Sequence, residues 1–203
     1  MSPNAPLLPA LLHNARKRSN SKSVAGVAYE SVVCATLGLI RFDLTRRKLE
    51  RGDGGLDLIG AWRTSPPCRV GVQCKHRSLP SSYLTQHNYN IASHTQRFRK
   101  TIPVRVIREL EASLGRWKKE TNDPTGFLGI IASNVALSKD AQRWLNISSF
   151  PLAYAQVDNA KRLAAFRINN AANKLLPNVH VLQKAQSDHV RGVIVFDNES
   201  IEY

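Results

Sequence analysis

The chain has 203 residues, with 29 Lys and Arg against 15 Asp and Glu, for a formal net charge of +14. A hydrophobic fraction of 42% with 22% charged residues supports one core and excludes wholesale disorder, and no apolar run approaches the ~18 residues of a membrane-spanning helix. Cys34, Cys68 and Cys74 form no CxxC pair, which excludes a disulfide scaffold or a cysteine-based zinc site.

Residues 1–22 stand apart. They hold no acidic residue, carry Arg16, Lys17, Arg18 and Lys22, and lack a long apolar run. The segment reads as a mitochondrial targeting segment or a disordered basic arm, not as a secretory signal. Val24 to Leu37 is predicted as the first helix, with Ser21 or Ser23 as N-cap. Glu30, Val33, Cys34 and Leu37 share one face, so Glu30 is the single charge on an apolar stripe and calls for a cationic partner. A face through Ala28 and Val32 would instead leave Glu30 at an exposed edge.

Extended chain follows from Leu39 to Leu44, then a charged hairpin-like stretch through Arg51. Gly52-Asp53-Gly54-Gly55 marks a turn, Leu56 to Trp62 a strand, and Pro66-Pro67 a loop. Arg69 to Lys75 alternates strictly: Val70, Val72 and Cys74 point one way, and Arg69, Gly71, Gln73 and Lys75 the other. Leu84 to Leu114 is polar, basic and broadly helical with a break at Pro103. Phe127 to Ala132 reads as a buried strand, Ser138 as the cap of a helix to about Leu145, and Leu152 to Val157 as another buried strand. Strand, helix, strand in that order predicts an α/β sheet with at least one parallel pair. Beyond Asp158 the pattern predicts a helix from Ala160 to Leu176, then short strands at Val179 to Leu182 and Val193 to Phe196. The organisation is thus a leading segment (1–22), an α/β domain (23–157) and a C-terminal extension packing on it (158–203).

Between Leu58 and Arg108 there is no Asp or Glu, while Arg63, Arg69, Lys75, Arg77, Arg97, Arg99, Lys100, Arg105 and Arg108 are all basic. Positive charge clustered in this way favours a polyanion, bound in a salt-dependent manner. Arg77, Arg97, Arg99, Lys100 and Arg105 are the expected contacts to a nucleic-acid backbone. His76, His87 and His94 lack the i, i+4 spacing of a helical zinc pair. Trp62, Tyr83, Trp117 and Trp144 are candidates for stacking on bases, with core packing the default for the tryptophans. Ser133 and Ser138 have no Asp–His partners placed by sequence.

Three features converge on chemistry. Asp57 follows the Gly-rich turn, Gln73 and Lys75 share a face of the next strand, and Glu30 lies on the preceding helix. Neighbouring strands lie about 4.8 Å apart, so a suitable register would bring Asp57, Gln73 and Lys75 together. Such a set suits metal-assisted phosphodiester cleavage. Mg²⁺ prefers oxygen ligands and retains waters, so Asp57, the side-chain oxygen of Gln73 and the carbonyl of Cys74 are the expected metal ligands. Lys75 would orient the attacking water and offset charge on phosphate, and Glu30 would hold a water or pair with Lys75.

The strings GDGGLDLIG and VGVQCKH resemble the motif pair of Mrr-type catalytic domains in the PD-(D/E)XK nuclease superfamily. The likeness continues through FLGIIASNVALSKDAQRWL and FPLAYAQV, covering Val24 to Val157. YESVV, GGLDLIGAW, VQCKH and PVRVIRELEASL are also similar to a fungal mitochondrial family. The nuclease resemblance implies an α/β, restriction-endonuclease-like central mixed sheet flanked by helices. It also implies a Mg²⁺-dependent deoxyribonuclease (Mn²⁺ substituting) that acts on DNA or RNA, with homodimers common in the class. Catalytic positions carry over to Glu30, Asp57, Gln73 and Lys75. Gln73 stands where many members have Glu or Asp, which removes one anionic ligand. The alternative is therefore a catalytically inactive nucleic-acid-binding protein with the same fold.

Overall fold

The computed structural model describes residues 24–47, 55–63, 68–77, 101–121, 126–158, 160–186, 189–196 and 199–202. The leading segment, the turn residues 52–54, Pro66-Pro67, the helical stretch expected at 84–100, and with them Tyr83, His87, His94, Arg97, Arg99 and Lys100 lie outside the described residues.

Helix α1 (24–38) leads into strand β1 (Phe42–Arg46), β2 (Leu58–Trp62) and β3 (Cys68–Lys75). Helix α2 (Val104–Thr121), strand β4 (Phe127–Ser133), helix α3 (Lys139–Ile147) and strand β5 (Leu152–Val157) follow. Strand β6 (Leu163–Ile168) and helix α4 (Asn170–Leu175) precede β7 (Val179–Gln186), β8 (His189–Phe196) and β9 (Glu199–Glu202). The first six strands form one mixed sheet in the order β1-β2-β3-β4-β5-β6, and the last three form a second sheet. The pairs β3–β4 and β4–β5 are parallel, and β1–β2, β2–β3 and β5–β6 are antiparallel. The protein is therefore α/β, with a six-stranded mixed sheet between layers of helices.

Each face of the main sheet has its own core. On one, Tyr29, Val33 and Leu37 of α1 meet Leu58, Val70, Val72, Leu128, Ile130 and Phe166. Trp62 lies wholly inside this layer, stacked on Phe42 at 4.4 Å between ring centroids and edge-on to Phe166 at 5.8 Å. Its indole N–H donates to the Ile40 carbonyl at 2.9 Å, so its polar atom is satisfied inside the core. On the other face, Val106, Ile107, Leu110 and Leu114 of α2 and Ala141 and Leu145 of α3 cover Ile131, Leu152 and Tyr154. The strict alternation expected along β3 is the physical origin of this division: Val70 and Val72 belong to the α1 layer, and Gly71 packs under Leu56 and Trp117 of the α2 layer. Trp117 is thus core, as the default reading had it, whereas Trp144 is half-buried beneath the Arg108 guanidinium at 4.3 Å.

Ser138 caps α3 as expected, accepting from the Ala141 N–H at 3.1 Å. The helix expected from Ala160 to Leu176 is corrected: residues 163–168 form β6, and only Asn170–Leu175 is helical. Asp158 explains the turn that starts the strand. Its Oδ1 accepts from the Ala160 and Arg162 N–H groups, both at 2.9 Å, and Lys161 follows with φ 62°. Asn169 then caps α4 by accepting from Ala172 N–H at 2.8 Å. The side-chain hydrogen bonds of Asp158 at the turn and the Asn169 cap override the helical spacing of the alanines between them.

Candidate active site at the end of strand β3

The β2–β3 ladder runs from Trp62 opposite Cys68 to Leu58 opposite Val72. One residue further, the Asp57 N–H still donates to the Val72 carbonyl at 2.8 Å, and the Asp57 carbonyl accepts from Arg47 N–H at 3.0 Å. There the backbone ladder gives way to a side chain: Asp57 Oδ2 accepts from the Cys74 N–H at 2.6 Å. The carboxylate stands where the next strand residue would have been, and it fixes the carboxyl end of β3. Because N–H and C=O of one strand residue face the same edge, the Cys74 carbonyl also points toward the side where β2 has ended.

Asp57 leaves the regular ladder here, its N–H turned to β3 and its carbonyl to β1, while Gln73 turns its side chain to α2. Gln73 is only 4% exposed. With its carboxamide oriented to satisfy both ends, its nitrogen donates to the Val106 carbonyl of α2 at 3.3 Å and its oxygen accepts from Lys75 Nζ at 3.1 Å. Gly55 makes room for this amide. A Cβ on it would lie 3.4 Å from the Gln73 amide oxygen in this orientation and 3.5 Å from Ser113 Oγ, and its φ of 81° favours glycine. Gly55 therefore lies close against a buried polar side chain.

Lys75 Nζ also lies 3.7 Å from Glu109 Oε2, with the two side chains 31% and 53% exposed. On the neighbouring strand, Ser133 Oγ donates to the Lys75 carbonyl at 2.9 Å. Asn134 accepts from Arg77 N–H and donates to the Arg77 carbonyl, both at 2.9 Å, and so carries the β3 path two residues past the end of the strand. Ser133 is thus a strand clamp.

Glu30 approaches the same strand end from the other face. Its carboxylate pairs with Arg46 Nε of β1 at 2.7 Å and is 15% exposed, so the single charge on the α1 stripe is met by a cation from β1. The Lys75 ammonium is paired with Glu109. The Cys74 thiol lies between the two faces' acids: burial, then the charges of Asp57 and Glu30, push it well above its ordinary value, while Lys75 pulls the other way. It stays a protonated, poorly nucleophilic thiol at neutral pH. Burial likewise raises Tyr29, whose hydroxyl donates to the Val157 carbonyl at 2.9 Å and whose ring faces His76 at 5.1 Å.

The structure therefore brings Asp57, Gln73, Cys74 and Lys75 to one end of β3, with Glu30 across the sheet. Of the expected nucleic-acid contacts within the described residues, Arg77 is half-buried beside this end and Arg105 is exposed on the second residue of α2. Glu109, Val106 and Asn134 were not singled out by sequence. One signal was present: Glu109 is the residue that ends the acid-free run beginning at Leu58. Among the described residues, no group of three or more His, Cys, Asp or Glu converges on a metal-sized point. The donor set is one carboxylate with neutral oxygens.

Fold and site together define an α/β protein with a polar, lysine-bearing cluster of side chains at the end of a central sheet strand. The family model of Required for respiratory growth protein 7 matches residues 21–188, and the chain belongs to that family. An uncharacterized mitochondrial protein of Schizosaccharomyces pombe is 30% identical over 147 residues, covering 70% of this chain and 48% of the relative. The chain thus spans about half the length of the curated relative it matches. No solved structure matches it. The family and the relative place the protein in the mitochondrion.

Proposed function

We infer that the protein is a metal-dependent nuclease of restriction-endonuclease-like fold that hydrolyses phosphodiester bonds of mitochondrial DNA. The observation that carries this reading is the gathering of Asp57, Gln73 and Lys75 at one strand end, where the β2–β3 ladder stops and the Asp57 carboxylate takes the Cys74 N–H. A carboxylate with neutral oxygens from Gln73 and Cys74 suits a small cation that keeps most of its water shell. A Mg²⁺ bound there would polarise a phosphoryl oxygen and make a neighbouring water more acidic. Lys75 places its ammonium beside the same point, where it offsets charge developing on the phosphorus centre. The net charge of +14 draws the polyanion in.

Cleavage of single- and double-stranded DNA with Mg²⁺ or Mn²⁺ tests this directly. Asp57→Ala and Lys75→Ala are each expected to lower kcat by roughly 10²–10³-fold or more. Activity surviving both substitutions removes the site.

A specific observation favours a second reading, a nucleic-acid-binding protein without chemistry. The Gln73 oxygen is engaged by Lys75, and Asp57 Oδ2 by a backbone N–H, so both donors have protein partners. That reading predicts salt-sensitive DNA or RNA binding unchanged by divalent metal and by Asp57→Asn.

A further inference from the structure

Resting on the nuclease reading, we propose that Glu109 is the positioning residue for Lys75, holding its ammonium beside Gln73 at the end of β3. An ammonium has three donors and a long flexible stem with several accessible rotamers. Gln73 supplies one acceptor at 3.1 Å, through a neutral oxygen. Glu109 supplies the opposing anion at 3.7 Å from one turn further along α2 than Val106, whose carbonyl holds the other end of the same Gln73 amide. Helix α2 therefore grips the Gln73–Lys75 pair at two points, by a main-chain oxygen and by a carboxylate.

The anchor is rigid where it matters. Val106, Ile107 and Leu110, flanking Glu109, are buried, and the Glu109 carbonyl accepts from Ser113 Oγ at 2.8 Å. A pair this exposed adds little to stability, so its effect is on where Lys75 points. The charge logic makes the assignment testable. An acid beside a polyanion-binding site opposes binding. A Glu109 that were merely solvated would thus give tighter DNA binding and unchanged turnover when neutralised.

The test uses the full-length chain with Glu109→Gln and Glu109→Asp, read in two ways. The first is kcat and KM for Mg²⁺-dependent DNA cleavage. Glu109→Gln is expected to lower kcat about tenfold while KM stays equal or falls, and Glu109→Asp to recover most of kcat. The second is side-chain ammonium NMR of ¹⁵N-lysine protein, with Lys75 assigned through Lys75→Met; its order parameter is expected to drop in Glu109→Gln and not in Glu109→Asp. Unchanged Lys75 order, or unchanged kcat in Glu109→Gln, overturns the proposal while Asp57→Ala still reports on the nuclease reading. A wild type that cleaves nothing, with Lys75 order still lost in Glu109→Gln, removes the nuclease reading and leaves the Glu109–Lys75 hold standing.

Discussion

The two ends of β3 are built from the same alternating pattern yet live in different media. At its start, Cys68 pairs with Trp62, and both belong to the apolar core on the α1 face. At its finish, a carboxylate replaces a backbone partner, an amide replaces an aliphatic side chain, and an ammonium reaches solvent. The difference teaches how one strand combines an apolar anchor with a polar end. The ladder and the aromatic layer anchor one end, so the other end tolerates polar groups that do little for the fold.

Substitutions at the two ends sharpen or break that contrast. Trp62→Ala removes the largest wholly buried side chain and is expected to cost about 3–5 kcal/mol in chemical denaturation. A loss below about 1 kcal/mol would mean that the aromatic layer is not the anchor. Gly55→Ala is intermediate. Forcing a Cβ into its left-handed conformation costs about 1–2 kcal/mol, and the new methyl touches the Gln73 amide, so on the nuclease reading cleavage should weaken along with stability. A variant of wild-type stability and activity would show that the turn does not cover the amide. Lys75→Met should change stability least, within about 0.5 kcal/mol, since its charge is partly solvated. A larger loss would make the polar end structural.

Much of this was legible in the sequence. The period of two along Arg69 to Lys75 assigns each side chain to a layer, and the Ser138 cap fixes the start of α3. The Glu30 stripe asked for a cation, and Arg46 provides it. Register was not legible, because which residue faces Asp57 depends on where the hairpin turns, and the glycines between permit several turns. Glu109 was missed for a related reason: it reaches Lys75 across a crossover, and no local spacing encodes that contact. Strand β6 was missed because LAAFRI carries helix-forming alanines, while its fate is set by pairing with β5.

The parallel pairing of β3 with β4 has a consequence in time. The two strands meet only after the chain has travelled from Lys75 to Phe127 through α2, and that passage delivers Glu109 and Val106 to the strand end. Closing so long a segment is entropically slow compared with forming the neighbouring hairpin. Partly folded chains that have made the β2–β3 hairpin would hold Asp57 against Cys74 but still lack the helix that steadies Gln73 and Lys75. On the proposed nuclease reading, competence for cleavage is acquired late, when the sheet's centre closes.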